Sequence, residues 1–149
     1  MGNNRVNLLM LCSLSSILLV SNVLQAMSAI VEHNVAELLK TKSCPGCDLR
    51  KADLEKADLE KANLEKANLE KAWLEEANLS GANLKKADLS GTNFSGVKLS
   101  EADLSGANLT GVMDGDVLMS DEKIIESGAT LDEDTILPSG KKYSSPAKK

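Results

Sequence analysis

From Cys47 to Gly111 the chain repeats one five-residue phrase, Ala-(Asp/Asn)-Leu-x-x, thirteen times without a gap. A fixed short period marks a stacked repeat architecture. Five residues turn through about 500° along an α-helix, so successive leucines would spiral around it at intervals of about 140°. Five is also odd, so one flat strand would flip its leucines from face to face. Neither regular element can bury the pattern. If the chain turns a corner after every phrase, always in the same sense, Ala and Leu point inward each time. The other three positions then face water.

Four such corners make a square coil of about twenty residues, and coils stack at the inter-strand spacing of roughly 4.8 Å. The inward ladders follow at a step of twenty: Leu49-Leu69-Leu89-Leu109, Leu54-Leu74-Phe94, Leu59-Leu79-Leu99 and Leu64-Leu84-Leu104. Ten of the thirteen small positions are Ala, the exceptions being Cys47, Thr92 and Val97. Outward residues form ladders too, among them Asp48-Asn68-Asp88-Asn108 and Asn63-Asn83-Asp103. Stacked amides can hydrogen-bond along such columns. Across coils, Arg50 is expected over Glu70 and Lys56 over Glu76, whereas Glu55 over Glu75 and Lys51 over Lys71 are like pairs. Trp73 takes an outward place otherwise held by Asp or Asn, between Asp53 and Asn93, and is the candidate anchor for a partner. Lys98 breaks the pattern at a second outward place.

Residues 1–26 read as a secretory signal peptide. Arg5 supplies the positive end, Leu8 to Val20 is a thirteen-residue apolar run, and Leu24-Gln25-Ala26 places a small residue before a cut. The run is shorter than the roughly twenty residues of a membrane span. The alternatives are an uncleaved signal anchor or a true start at Met27, which would leave the chain in the cytoplasm. Cys12 lies inside the run, not at its end, which weakens a lipoprotein reading. Loss of Arg5 leaves 16 basic against 22 acidic residues. That acidic balance argues against a nucleic-acid partner, which needs a basic footprint. One Trp, one Tyr and one Phe offer no stacking platform for single strands.

The exported chain keeps two cysteines, Cys44 and Cys47, as Cys-Pro-Gly-Cys. An even pair in an exported chain favours a disulfide, here a staple at the mouth of the coil. The other readings are a thiol redox pair, without the usual βαβ context, or two buried thiols. Zinc needs four ligands, and His33 is the lone histidine. No catalytic residue, metal site or cofactor site is expected.

A solenoid must cap its ends. Over residues 27–46 a short helix, about Ile30 to Lys40, carries Val31, Val35, Leu38 and Leu39 on one stripe, and Pro45-Gly46 turns the chain into the first coil. Residues 112–140 read as a degenerate C-terminal cap. Ser120 would cap a helix through Glu126, Ala129-Thr130-Leu131 is a last imperfect phrase, and Ile136 and Leu137 would cover the core. The tail 141–149 reads as disordered.

With these features the chain resembles the pentapeptide-repeat family over 65 of its 149 residues, 47–111. The resemblance implies an all-β solenoid, a right-handed quadrilateral β-helix, here with short α-helical caps. The Cys-Pro-Gly-Cys-Asp-Leu opening at Cys44–Leu49 is similar to that of exported and lumenal members. It implies a non-enzymatic scaffold or interaction module in the periplasm, thylakoid lumen or secreted space, with an unidentified protein partner. Acidic members of the quinolone-resistance type imply a second reading, a DNA-mimicking inhibitor of a type II topoisomerase. Export and the lysines at Lys51, Lys56, Lys61, Lys66 and Lys71 count against it. A thiol redox protein using Cys44 and Cys47 is the third.

Overall fold

A computed structural model describes residues 6–145, with side chains from Leu19 onward. Arg5 and the last four residues, 146–149, lie outside the described residues, as does the side chain of Cys12. The chain divides into two compact units that meet between Ile30 and Val31.

The first helix, α1, spans Val6–Thr41 and so runs through both the expected signal and the expected cap. It begins far upstream of Ile30 because residues 6–30 contain neither Pro nor Gly to stop it. In the first unit every described side chain, Leu19 to Ile30, is exposed. Among the described residues no helix is long and apolar enough to cross a membrane.

The second unit starts with the last turns of α1. Leu38 is fully buried and Val31 and Val35 pack against the core, but Leu39, expected on the same stripe, is 46% exposed. The arc between Leu38 and Leu39 is about 100° on a helix, enough to carry the second residue off the contact. The helix ends because Lys42 adopts a left-handed conformation (φ 58°) and donates its N–H to the Leu38 carbonyl at 2.8 Å. That is the αL form of C-cap.

From Ser43 on, parallel bridges join residues twenty apart, in four columns: 48-68-88-108, 53-73-93-113, 58-78-98 and 43-63-83-103. The rungs are single bridges, not strands, because only about three residues separate one corner from the next. Most ladder residues donate their N–H to the next coil, as Leu49 does to Asn68 O (2.7 Å) and Leu69 to Asp88 O (2.7 Å). Each corner closes with a turn bond such as Ala57 N to Leu54 O, 3.1 Å.

The fifth residue of all thirteen phrases has positive φ, between 56° and 70°. Gly fills it at Gly81, Gly91, Gly96, Gly106 and Gly111, while Lys or Glu occupies the other corners. A non-glycine residue there costs about 1–2 kcal/mol. The side chain of one corner lies over the glycine above it: a Cβ on Gly96 would sit 3.3 Å from Glu76 Cγ.

The interior is a continuous Leu/Ala column. All thirteen ladder residues, Phe94 included, are 5% exposed or less. Thr92 is fully buried at a small position and donates its hydroxyl to Leu89 O at 2.7 Å. Ala57 and Val97 are half-buried.

Beyond Gly111 the chain makes a hairpin absent from the sequence expectation, β1 Met113–Asp114 with β2 Val117–Leu118. Gly115 opens its two-residue loop with φ 66°, the position where a II′ turn requires glycine. The next helix, α2, is Asp121–Ile125, and the Ser120 side chain accepts from Lys123 N. Thr130 bridges Asp103 and Ile136 bridges Asn108, each extending a column of the solenoid. Met119, Ile124 and Leu137 are buried there. The tail expected to be disordered is paired at its start. Lys142 forms an antiparallel bridge with Ile136, and Tyr143 N donates to Thr135 O. The reversal is a turn at Gly140 (φ 83°), which composition alone does not reveal.

Candidate interaction surface

With the coil filled by Leu and Ala, polar chemistry is confined to its outer faces, and the Asp/Asn column positions organise them. At eleven of the thirteen positions the side-chain Oδ1 accepts from the backbone N–H two residues on, at 3.0–3.2 Å. This Asx bond braces those eleven corners and explains the preference for Asp or Asn there. Amide bonds along the columns are present as well, from Asn83 Nδ2 to Asn63 (3.2 Å) and from Asn108 Nδ2 to Asp88 (3.1 Å).

Charges pair mainly within a coil. Arg50, expected over Glu70, instead forks onto Asp48, with Nε–Oδ1 at 2.8 Å and Nη2–Oδ2 at 2.6 Å. Lys56 reaches Glu76 at 3.9 Å but lies closer to Glu55, at 2.6 Å. Lys66–Glu65 and Lys71–Glu70 repeat the adjacent pairing at 3.2 and 2.9 Å. Both side chains leave the same corner, so they meet without crossing the coil step. Exposed pairs of this kind contribute about 0–1 kcal/mol each.

Several aspartates are held below the usual carboxylate range. Arg50's hydrogen bond does this for Asp48, and Lys42's for Asp58. At Asp132 burial pushes upward but is outweighed by bonds from Gly106 N (2.7 Å), the Thr135 hydroxyl and the N–H groups of Asp134 and Thr135. Asp132 thereby ties the C-terminal cap to the last coil, a role with no signal in the repeat pattern.

Trp73 is 57% exposed and, like Lys98, lacks the oxygen that would brace its corner. Below it stands Asp53, exposed, and above it Asn93, each joined to it by a parallel bridge. Asn93 Nδ2 donates to Glu75 Oε1 at 2.7 Å and so holds that carboxylate beside the Trp73 column. Two rungs above Trp73 the column reaches Met113 and the β1–β2 hairpin, where Val117 and Leu118 are 63% and 54% exposed. The sequence singled out Trp73. It missed Glu75 and the hairpin, although Asp114-Gly115 is a recognisable turn signal.

Cys44 and Cys47 are joined as a disulfide, with Cys44 buried and Cys47 half-buried at the mouth of the first coil. Asn34 of α1 donates to Asp48 O (2.9 Å) next to this staple. His33 is exposed. Among the described residues, no three His, Cys, Asp or Glu side chains cluster as metal ligands would.

Comparison with known proteins places these features. A family model described as pentapeptide repeats, in 8 copies, matches residues 44–81 and 74–111. Similar solved structures include a pentapeptide repeat protein from the Arabidopsis thaliana thylakoid lumen: 28% identity, 62% of this chain and 66% of that one, TM-score 0.39. Another is the pentapeptide repeat protein Rfr23 from the cyanobacterium Cyanothece 51142: 25% identity, 71% and 98% coverage, TM-score 0.29. A third is a plasmid-mediated fluoroquinolone resistance protein: 18% identity, 60% of each chain, TM-score 0.29. Among curated proteins none matches significantly.

Proposed function

We propose that the chain is an exported, non-enzymatic scaffold that binds a protein partner through its outer faces, a reading supported by the pentapeptide-repeat model that matches residues 44–81 and 74–111. One observation carries the reading: the leucine ladder is closed to solvent along its length, with no residue above 5% exposure, while every charged and amide side chain stands outside in register. Such a rod offers a partner a stiff, evenly spaced surface, and its interior is filled by side chains. The four bridged columns at a twenty-residue step support the quadrilateral coil, and its right-handed sense is what the family implies.

Export is supported by the leader-like residues 1–26 and by the Cys44–Cys47 disulfide, since such bonds persist in oxidising compartments. The DNA-mimic reading is disfavoured by the outward lysines, which pair with the glutamates beside them and interrupt the acidic columns. The disulfide does not favour a redox protein over a staple, because it is tucked against the first coil.

The test is intact mass of the protein from its native host, with compartment fractionation and in-cell photo-crosslinking from exposed repeat positions. A mass starting at Met27 in an exported fraction, two hydrogens short at the cysteines, and crosslinks to one protein species are expected. A cytoplasmic chain with free thiols would overturn the reading and put the topoisomerase inhibitor first.

A further inference from the structure

We propose that the Trp73 face is a docking surface for a partner segment that presents a Lys or Arg side chain next to apolar residues. The proposal deepens the interaction-module reading and rests on it. Trp73 stands where an Asp or Asn would brace the corner, so the local fold gains nothing visible from the indole, which is 57% exposed. An exposed indole attracts a cation over its ring face.

The charges around it fit that occupant. Asp53 lies one rung below, and Glu75 is held beside the column by Asn93. Among the described residues neither carboxylate has an ion-pair partner, and two of the nearby lysines are engaged elsewhere, Lys56 with Glu55 at 2.6 Å and Lys71 with Glu70 at 2.9 Å. Lys51 is exposed at the corner that precedes Asp53. Two rungs up the column reaches Met113. One strand further, roughly 14 Å from Trp73 at the inter-strand spacing, its antiparallel partner Leu118 is exposed on the same side, with Asp116 exposed in the loop. Val117, the neighbouring residue of that strand, falls on the opposite side. The face therefore offers an aromatic and an apolar side chain, Trp73 and Leu118, with carboxylates between and beside them. An acidic or purely polar partner would leave both features uncompensated.

Trp73 is also the chain's one tryptophan, so its fluorescence reports this site alone. The experiment selects a displayed twelve-residue peptide library on the wild-type chain, with the Trp73→Asn variant as counter-selection. The recovered peptide is then titrated by tryptophan fluorescence. The expected result is a consensus with Lys or Arg beside apolar residues that shifts the emission. Its affinity should fall at least tenfold in Glu75→Gln and stay unchanged in Glu60→Gln, a carboxylate in another column. An acidic or uncharged consensus would overturn the proposal. A pool of wild-type binders that the Trp73→Asn counter-selection removes entirely would also overturn it while leaving the broader interaction reading in place. A chain that selects nothing on any face would count against both.

Discussion

Replacing Leu69 by Ala removes three carbons from the middle of a ladder in which Leu49, Leu69 and Leu89 are all fully buried. At about 0.8 kcal/mol per buried methylene the transfer term alone is about 2.4 kcal/mol. The walls cannot close on the gap, because the coils are held apart at a fixed spacing by backbone bonds of 2.7 Å on either side, Leu49 N to Asn68 O and Leu69 N to Asp88 O. A residual cavity therefore adds to the loss and brings it to about 3–5 kcal/mol. The adjacent Glu70→Ala removes only an exposed ion pair with Lys71, worth about 0–1 kcal/mol. Thermal unfolding followed by far-UV circular dichroism separates the two. With about 4–8 °C per kcal/mol for a domain of this size, Leu69→Ala should lose at least about 12 °C and Glu70→Ala a few degrees. Equal losses in the two variants would refute the filled-column account of stability.

Trp73→Asn supplies the missing Asx acceptor for Glu75 N and should raise stability by about 0.5–1.5 kcal/mol in denaturant melts; a loss would show that the indole supports the fold. Asp132→Ala strands the N–H groups of Gly106, Asp134 and Thr135 and should cost about 1.5–3 kcal/mol. Because the folded-state pKa of Asp132 is lowered, its contribution is complete above the ordinary aspartate value of about 3.9 and is lost as pH falls through the lowered value. The acid limb of a stability profile should thus be shallower in Asp132→Ala. Reducing Cys44–Cys47 should destabilise the chain by about 2 kcal/mol through loop entropy, and reductant should have no effect on a Cys44→Ser/Cys47→Ser double variant.

Much of the solenoid was legible because its rule is local. A phrase of five with Leu at its centre determines which residues point inward, and the step of twenty then determines which residues stack. Trp73 was legible for the same reason, as the residue that breaks a column. The corner conformation was less visible. Gly81 or Gly91 announces a positive φ, but Lys51 and Lys56 take the same conformation against their own preference because the coil requires it. The Arg50 contact was misjudged since stacking sets which residues are neighbours, while side-chain reach decides which neighbour is chosen. Arg50 reaches Asp48 in its own coil before Glu70 in the next.

By itself the sequence determined the period, the inward ladders and the position of the odd residue in each column, all consequences of side-chain pattern within one phrase. Only the tertiary structure decided the ends and the surface. Asp132 reaches back to Gly106, Ile136 and Thr130 extend columns begun long before them, and Asn93 turns Glu75 toward the Trp73 face. These contacts join residues whose spacing follows no repeat. They arise where the coil stops and where side chains compete for partners, and a period carries no information about either.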